Sequence, residues 1–194
     1  MIQSRSMILA KLPEKVRLIL PFVFTLLIFI SLTGSLFAQS LKPSPPMAEG
    51  PYWKTGSPKR AVLYQQRDTG KRIEVSGKVL DISEKAIPGT KIDIWQTDGK
   101  GAYDNSGFRF RGHVFTDDSG TYSFKTVLPG EYPGRTPHIH IKLTSPNGRR
   151  LTTQLYFPEY DSHNRSDWLY DENLVVKWRS SSQASFNFVL KTWN

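Results

Sequence analysis

From residue 71 onward the chain consists of short segments in which apolar and polar residues alternate, separated by turn residues. This alternation places every second side chain on one face, as in a half-buried strand. No stretch after residue 40 shows a long helical period. We therefore predict an all-β fold, a single antiparallel β-sandwich of about seven strands. The segments are Arg72–Asp81, Lys91–Gln96, Arg109–Thr116, Thr121–Leu128, His138–Thr144, Arg150–Phe157 and Ser185–Lys191.

Turn residues mark the ends of these segments. Asp117-Asp118-Ser119-Gly120 separates two of them and predicts a hairpin, while Pro88-Gly89 turns the chain between two others. Asp161–Asp171 is polar and aromatic, and predicts a long surface loop. The chain contains no cysteine, which fits either redox compartment and excludes a disulfide framework.

The first forty residues differ from the rest of the chain. Three basic residues between positions 11 and 17 precede the apolar run Leu18–Phe37, and Ala38-Gln39-Ser40 follows with the small-x-small pattern of a signal-peptidase site. We predict a secretory signal peptide over residues 1–40. The run is long enough to cross a bilayer, so an uncleaved membrane anchor is the alternative. Both interpretations place the remaining chain outside the cytoplasm, in a periplasm or outside the cell.

Composition divides the chain into three parts: the signal or anchor segment 1–40, an extended proline-rich lead-in over residues 41–51, and a β-sandwich domain over residues 52–194. The net charge is +9 for the whole chain, and residues 1–40 contain four basic residues and one acidic residue, which leaves +6 for the remainder. The basic residues are scattered without an aromatic–basic repeat, which argues against nucleic acid as a partner and indicates a solvated surface. A mild preference for anionic ligands or anionic cell surfaces is compatible with this charge.

The motif His138-Ile139-His140 carries the first chemical signal. Residues two apart on a strand share one face, so the two imidazoles lie close together. Neutral imidazole binds iron, copper, zinc or nickel, and the pair provides half of a metal site. The competing interpretation is a pair of surface histidines on an edge strand. Ile139 and Ile141 indicate that the opposite face packs against the core.

Two tyrosines flank this strand in sequence. Tyr132 follows Pro129-Gly130, whose turn-forming residues can fix a side chain near the strand start, and Tyr103 follows Gly101. A phenol has a pKa of about 10, so it coordinates a metal that is acidic enough to remove its proton. Glu131 and Asp104 leave open the alternative of two histidines and one carboxylate. A cupin would place an acid soon after the second histidine, and this sequence does not.

Several segments together resemble the intradiol ring-cleavage dioxygenases, and the protocatechuate 3,4-dioxygenase branch above all. The segments are EGPYW (49–53), IDIWQTDGKGAYD (92–104), TDDSGTYSFKTVLPGEYPGRTPHIHIKL (116–143) and LTTQLYF (151–157). They occur in the family's order over most of residues 49–157. The family's catalytic core is a β-sandwich that holds one non-haem Fe(III) ion through two tyrosines and two histidines.

The resemblance implies a ligand set and roles for other residues. The metal ligands fall on Tyr103, Tyr132, His138 and His140, with Tyr132 and His140 axial. Tyr132 would leave the metal when substrate binds and would accept a substrate proton. Arg135 would stabilise negative charge that develops on the substrate, and Gln154 matches the glutamine of the family's LTTQ element. Tyr52 and Trp95 are expected to line the substrate pocket. His113 and His163 match no ligand position and are read as surface residues.

The implied reaction is the cleavage of a catechol-type ring between its two hydroxyl-bearing carbons. Both atoms of O₂ enter the product, a cis,cis-muconate-type diacid. Catechol, protocatechuate, hydroxyquinol and larger catechols all stay open as substrates. The expected partners are this small molecule and O₂, with a homo-oligomer possible and membrane contact only through an uncleaved N-terminal segment.

Two rival functions are compatible with parts of the sequence. Exported β-sandwich binding modules share the features found between Gly77 and Tyr132, and in such a module Tyr132 would close a strand corner. A module has no use for Arg135, the histidine pair or Gln154 in register. A copper or zinc protein could use the histidines, but zinc rarely uses two phenolates and thiol ligands are absent. The connection between Tyr132 and Arg135 is also shorter than in the well-studied family members.

Overall fold

The computed structural model describes residues 40–191, so residues 1–39 of the predicted signal or anchor segment lie outside the described residues. The described residues form two β-sheets with little helix, as predicted. The nine strands are β1 (Arg72–Asp81), β2 (Lys91–Gln96), β3 (Arg111–Phe115), β4 (Thr121–Val127), β5 (His138–Thr144), β6 (Arg150–Tyr156), β7 (Lys177–Ser180), β8 (Gln183–Ser185) and β9 (Phe188–Leu190). The helical elements within residues 40–191 are the 3₁₀ turns Pro158–Tyr160 and Glu172–Leu174 and the short α-helix α1 (Asp161–Ser166).

The sheets differ in strand direction. One has four strands in the order β3-β2-β5-β6, and all its pairs are antiparallel. The other has the order β4-β1-β8-β7, with β9 also pairing with β1. Both β8 and β9 run parallel to β1, so the second sheet is mixed and the prediction of a purely antiparallel sandwich is wrong. Parallel neighbours are joined through long connections, which leave no turn motif in the sequence.

The C-terminal third contains the elements that the sequence pattern missed. β7 and β8 have four and three residues and are joined by a serine-rich turn, too short for an alternating pattern to be visible. The predicted loop Asp161–Asp171 contains α1 over its first six residues, so the loop prediction is wrong there. The other predicted segments each contain a strand.

The core lies between the two sheets. On the inner face of the four-stranded sheet, Ile94 pairs with Ile141, and Ile92 pairs with Leu143. These four residues and Ile139 are fully buried, which confirms that Ile139 and Ile141 belong to the core face of β5. Burying a side chain of this size contributes roughly 1.5–3 kcal/mol, so this cluster is the main source of stability.

The extended segment over residues 41–60, which begins with the predicted lead-in 41–51 and is called the lead-in from here on, lies against both sheets. The Ser44 backbone N–H donates to the Val189 carbonyl at 2.9 Å, and the Met47 N–H donates to the Thr152 carbonyl at 2.8 Å. It then runs over the outer face of the four-stranded sheet, where Gly50 packs on the His140 ring. The outer face of β5 is therefore buried as well as its inner face. The strands and the core cluster of the described residues lie within residues 41–190, so the chain from Ser40 onward contains all of them.

Within residues 40–191 there is no helix with the length and apolar character needed to cross a membrane.

We predict that Tyr122→Phe destabilises the fold without changing the outer face of the four-stranded sheet. The Tyr122 hydroxyl donates to the Phe186 carbonyl at 2.9 Å, in the link between β8 and β9, and Tyr122 is buried. Its loss leaves a carbonyl without this partner and should lower the free energy of unfolding by about 1–2 kcal/mol, measured by urea denaturation. Tyr64→Phe removes a hydroxyl with no side-chain hydrogen bond among the described residues and should change it by less than about 0.5 kcal/mol. Equal losses would contradict this role for Tyr122.

Candidate metal centre

A row of four side chains crosses the outer face of the four-stranded sheet. Strand register places Trp95 opposite both Arg111 and His140, and His140 opposite Gln154. Residues opposite each other in neighbouring strands share a face and lie about 5 Å apart. The Trp95 indole is parallel to the His140 ring, with 4.8 Å between the ring centroids. The antiparallel register therefore places His140 between the Trp95 indole and the Gln154 amide.

The two histidines of β5 form a buried pair. His138 and His140 are 4% and 3% exposed, and their Nε2 atoms lie 3.0 Å apart. The Nδ1 atom of His138 lies 2.7 Å from the Thr136 carbonyl, which can only accept, so the proton is on Nδ1 and the Nε2 lone pair is available. Burial lowers the pKa of His138 to about 4 and lowers the pKa of His140 well below its usual value. Both rings are neutral at neutral pH, the state that binds metals.

This separation fits two ligands of one metal ion. For a bond of about 2.1 Å, the length of a zinc–imidazole bond, two nitrogens at a right angle lie about 3 Å apart. The two buried Nε2 atoms face each other, so a single metal ion could bind both of them. The donor chemistry of the site thus fits a first-row transition metal.

The two tyrosines of the predicted ligand set join the histidines in one cluster. The ring centroids of Tyr103 and Tyr132 lie 5.7 Å apart, and those of Tyr103 and His140 lie 6.5 Å apart. The structure therefore brings together all four residues that the sequence nominated. Burial raises the pKa of Tyr103 above its usual value of 10. Its phenol stays protonated at neutral pH unless a metal ion removes the proton.

Two glycines explain how the tyrosines meet. The backbone at Gly101 packs against Glu131, and the backbone at Gly130 packs against Gly101, so closely that a Cβ atom at either glycine would overlap the other segment. The Asp98 carbonyl accepts from the Gly130 N–H at 2.8 Å, which fixes the contact. Gly101 also has a φ of +86°, a conformation that glycine adopts without strain. The GxY and PGxY motifs are thus two halves of one backbone contact.

Neither carboxylate left open by the sequence joins the histidine pair. Asp104 accepts from the backbone N–H groups of Ser106, Gly107 and Arg109, and these bonds lower its pKa to about 2. The carboxylate therefore braces the loop that follows Tyr103. The Glu131 side chain is 64% exposed and lies 3.7 Å from His163. Across residues 40–191, His, Cys, Asp and Glu side chains form no group of three or more that could hold a metal ion.

Arg135 is held beside the cluster by Gln154, which the sequence nominated, and by Asp167 and Tyr156, which it did not. Its Nε donates to both carboxylate oxygens of Asp167, at 3.0 and 2.9 Å, and the Asp167 side chain is 1% exposed. Its Nη2 donates to Gln154 Oε1 at 2.7 Å and to the Tyr156 hydroxyl at 3.3 Å. Asp167 lies in the segment read as a surface loop, where no pattern distinguishes it from its neighbours. Spacing relative to a distant strand cannot be read from sequence.

The lead-in supplies a third tyrosine. Tyr52 stacks on Tyr103 with ring centroids 4.2 Å apart, and its hydroxyl lies 2.9 Å from the Tyr132 hydroxyl. That hydrogen bond raises the pKa of Tyr52. Because the Tyr132 hydroxyl meets a phenol rather than a backbone carbonyl, the geometry does not match a strand corner. Tyr52 and Trp95 both lie at the cluster, although Trp95 is fully buried and its Nε1 has no hydrogen-bond partner within the described residues.

The remaining histidines lie outside the cluster. His113 is half-buried, and its Nδ1 lies 2.9 Å from the Ser57 carbonyl, so it attaches the lead-in to β3 and its assignment as a surface residue is wrong. His163 lies on α1 with its side chain 48% exposed, as predicted.

The fold and cluster define a β-sandwich protein with a histidine–tyrosine site of metal-binding character. A family model described as Dioxygenase matches residues 48–194. Curated relatives include the protocatechuate 3,4-dioxygenase beta chain of Burkholderia cepacia, 37% identical over 46% of this chain and 46% of that protein. Another is the catechol 1,2-dioxygenase of Candida albicans, 28% identical over 73% of this chain and 56% of that protein. The chain belongs to the intradiol ring-cleavage dioxygenase family.

Solved structures agree with this assignment. The dioxygenase domain of a dioxygenase–carbohydrate-binding protein fusion from Streptomyces sp. SirexAA-E is 43% identical, with a TM-score of 0.74 over 78% of this chain and 100% of that chain. An intradiol ring-cleavage dioxygenase from Tetranychus urticae shares the fold at 24% identity, with a TM-score of 0.69 over 79% of this chain and 96% of that one. The chain spans about half the length of the first curated relatives it matches.

We predict that Gly101→Ala separates the two tyrosine loops. The added methyl group overlaps the Glu131 backbone, so the loop must shift and Tyr103 moves away from Tyr132. Purified protein loaded with ferric iron should lose its tyrosinate-to-iron absorption band and at least about 90% of its iron, since a displaced ligand typically lowers metal affinity 10–100-fold or more. Lys100→Ala, in the same turn but exposed, should retain both. An unchanged spectrum in the glycine variant would refute the proposed role of the contact.

Proposed function

We propose that this protein is a non-haem Fe(III) intradiol dioxygenase. It cleaves a catechol-type ring between the two hydroxyl-bearing carbons and incorporates both atoms of O₂ into a cis,cis-muconate-type diacid. The observation that carries this proposal is the histidine pair, with Nε2 atoms 3.0 Å apart, in one cluster with Tyr103 and Tyr132. Membership in the family supports the same reaction.

His138, His140, Tyr103 and Tyr132 would hold the iron. Two phenolates favour the ferric state because they offset its charge better than neutral donors do. When bound, ferric iron would supply the Lewis acidity that makes a catechol ring reactive toward O₂. The buried, neutral imidazoles provide the nitrogen donors without first losing a proton.

Tyr132 serves as the base that receives a substrate proton. Its hydroxyl lies within hydrogen-bond distance of the Tyr52 hydroxyl, at 2.9 Å. A Tyr132 phenolate would therefore accept a hydrogen bond from the Tyr52 hydroxyl before it takes the substrate proton. The stacking of Tyr52 on Tyr103 holds that donor in place.

Arg135 stabilises negative charge on the bound substrate. Asp167 binds its Nε side, and Gln154 and Tyr156 accept from its Nη2. Among the described residues Nη1 makes no hydrogen bond, so its N–H groups are available to an anionic oxygen. A preorganised cation contributes more than a mobile one because it needs no rearrangement as charge develops. Asp167 is thus a positioning residue for Arg135.

The substrate is a small catechol, with catechol, protocatechuate and hydroxyquinol as the compounds to screen. The aromatic walls formed by Tyr52 and Tyr103 suit a planar ring. We further propose that the domain works outside the cytoplasm, released by cleavage near Ser40 or held by the uncleaved apolar segment, as the N-terminal sequence indicates.

We predict that Tyr103→Phe and His138→Ala each lower ring-cleavage kcat/KM by about 100-fold or more, with loss of bound iron or of its colour. Product formation, visible absorption and iron content would be measured in parallel on the same preparations. His163→Ala, which changes an exposed histidine outside the cluster, should behave as wild type. Full ring cleavage in either ligand variant would exclude the ligand assignment. A colourless wild-type protein that takes up no ferric iron would favour the non-catalytic exported binding module.

We predict that Arg135→Ala retains iron and colour while kcat falls by about 100-fold, the usual effect of losing one preorganised donor. Asp167→Asn should slow turnover in the same direction with iron retained, because the guanidinium loses its charged partner. Asp161→Asn removes an exposed carboxylate paired with Arg165 and should leave kcat unchanged. Loss of iron binding in Arg135→Ala would instead assign the arginine a structural role.

A further inference from the structure

Two clefts lie side by side, away from the metal centre. The larger has a volume of about 630 Å³ and the smaller about 190 Å³, and they share Pro43, Ser44 and Val189. The extended lead-in therefore runs between them. None of the residues assigned to iron, substrate or Arg135 lines either cleft. Any ligand of these clefts is separate from the catechol.

The charged residues that line the two clefts are mainly positive. The larger contains Lys42, Lys177 and Arg179 against one acid, Glu172, and the smaller contains Arg149, Arg150 and Lys191 with no acid. We call the five residues Lys42, Arg149, Arg150, Lys177 and Arg179 the basic face. Within residues 40–191 none of these five forms an ion pair, and all of them except the half-buried Arg149 are exposed. Their charges are thus available to an external anion.

The fold assembles this face from distant parts of the sequence. Lys42 belongs to the lead-in, Arg150 begins β6, and Lys177 and Arg179 lie on β7. The Ser44 bond to Val189 and the Met47 bond to Thr152 place the lead-in between the edges of the two sheets. In sequence these cations are scattered and predict only a solvated surface. In the structure they surround one pair of clefts.

We propose that the basic face docks on an anionic phospholipid surface. The sequence ends its apolar run at Phe37, five residues before Lys42, a distance of at most about 17 Å in extended chain. A basic cluster this near a membrane-directed segment meets anionic headgroups first, and each Lys or Arg at such a surface contributes about fivefold in affinity. The larger cleft presents cationic and polar side chains that phosphate can bind.

Docking in this way has a consequence for either fate of the N-terminal segment. If the segment stays inserted, the basic face orients the domain against the headgroups. If the segment is cleaved, the face by itself retains the domain at an anionic surface, because electrostatic attraction needs no anchor. The proposal is independent of the reaction, since it depends on charge and position alone.

The test is co-sedimentation of the chain from Ser40 onward with vesicles. Vesicles of phosphatidylcholine with 30% phosphatidylglycerol, roughly a typical anionic content, are compared with pure phosphatidylcholine and with soluble polygalacturonate as a non-lipid polyanion. The patch variant is Arg150→Ser, Lys177→Ser and Arg179→Ser. The matched control, Arg67→Ser, Lys85→Ser and Lys125→Ser, removes the same charge from exposed positions outside both clefts. Thermal unfolding verifies that both variants are folded.

Wild type and control should bind the anionic vesicles alike, and the patch variant should bind about 100-fold more weakly, by the fivefold contribution of each of three cations. Pure phosphatidylcholine should retain none of the proteins, and 0.5 M salt should abolish wild-type binding. The proposal is overturned if wild type ignores anionic vesicles, if the control loses as much affinity as the patch variant, or if polygalacturonate binds while vesicles do not.

Discussion

The contact between two stretches of backbone, at Gly101 and at Gly130, organises the rest of the candidate centre. The Asp98 carbonyl accepts from both glycine N–H groups, and the Thr97 hydroxyl donates to the Gly130 carbonyl. No side chain could occupy this space. The loop after β2 and the loop before β5 are thus locked together, and the tyrosine two residues beyond each glycine is brought to the same place. The proposed ligands Tyr103 and Tyr132 lie on different loops, and this contact positions them as precisely as strands would.

The second constraint is the burial of both faces of β5. The inner face packs in the core, and the lead-in covers the outer face, so the histidines are desolvated, and for His138 this desolvation outweighs the opposing effect of the Asp167 charge. Desolvation keeps the imidazoles neutral and raises the pKa of Tyr103. Burial thus leaves two neutral nitrogen donors beside a phenol that is hard to ionise. A metal ion bound there would have to be strongly acidic to remove the proton of Tyr103. Tyr52, carried by the lead-in, then joins the cluster through Tyr132.

The lead-in also connects the candidate metal centre to the proposed docking surface. Its first residues border the clefts of the basic face, and about ten residues later it reaches the cluster at Gly50 and Tyr52. A segment that reads in sequence as a passive linker thus forms part of both regions. Its backbone hydrogen bonds to β6 and β9 fix the position of the basic face relative to the candidate centre.

The sequence by itself determined the all-β class, most strand positions, and the four residues gathered at the candidate centre. Alternation of apolar and polar residues indicates strands because successive side chains of a strand point to opposite faces. The GxY, PGxY and HxH motifs are visible because each lies within a few consecutive residues of one loop or strand. Only the tertiary structure decided the parallel pairing of β8 and β9 with β1, the helix α1, and the attachment of His113 to the lead-in. It also decided that Asp167 holds Arg135 and that distant cations form one face. The helix α1 has only six residues, too few to show a helical period in the sequence. The other features depend on contacts between residues far apart in sequence, and such contacts leave no local sequence pattern.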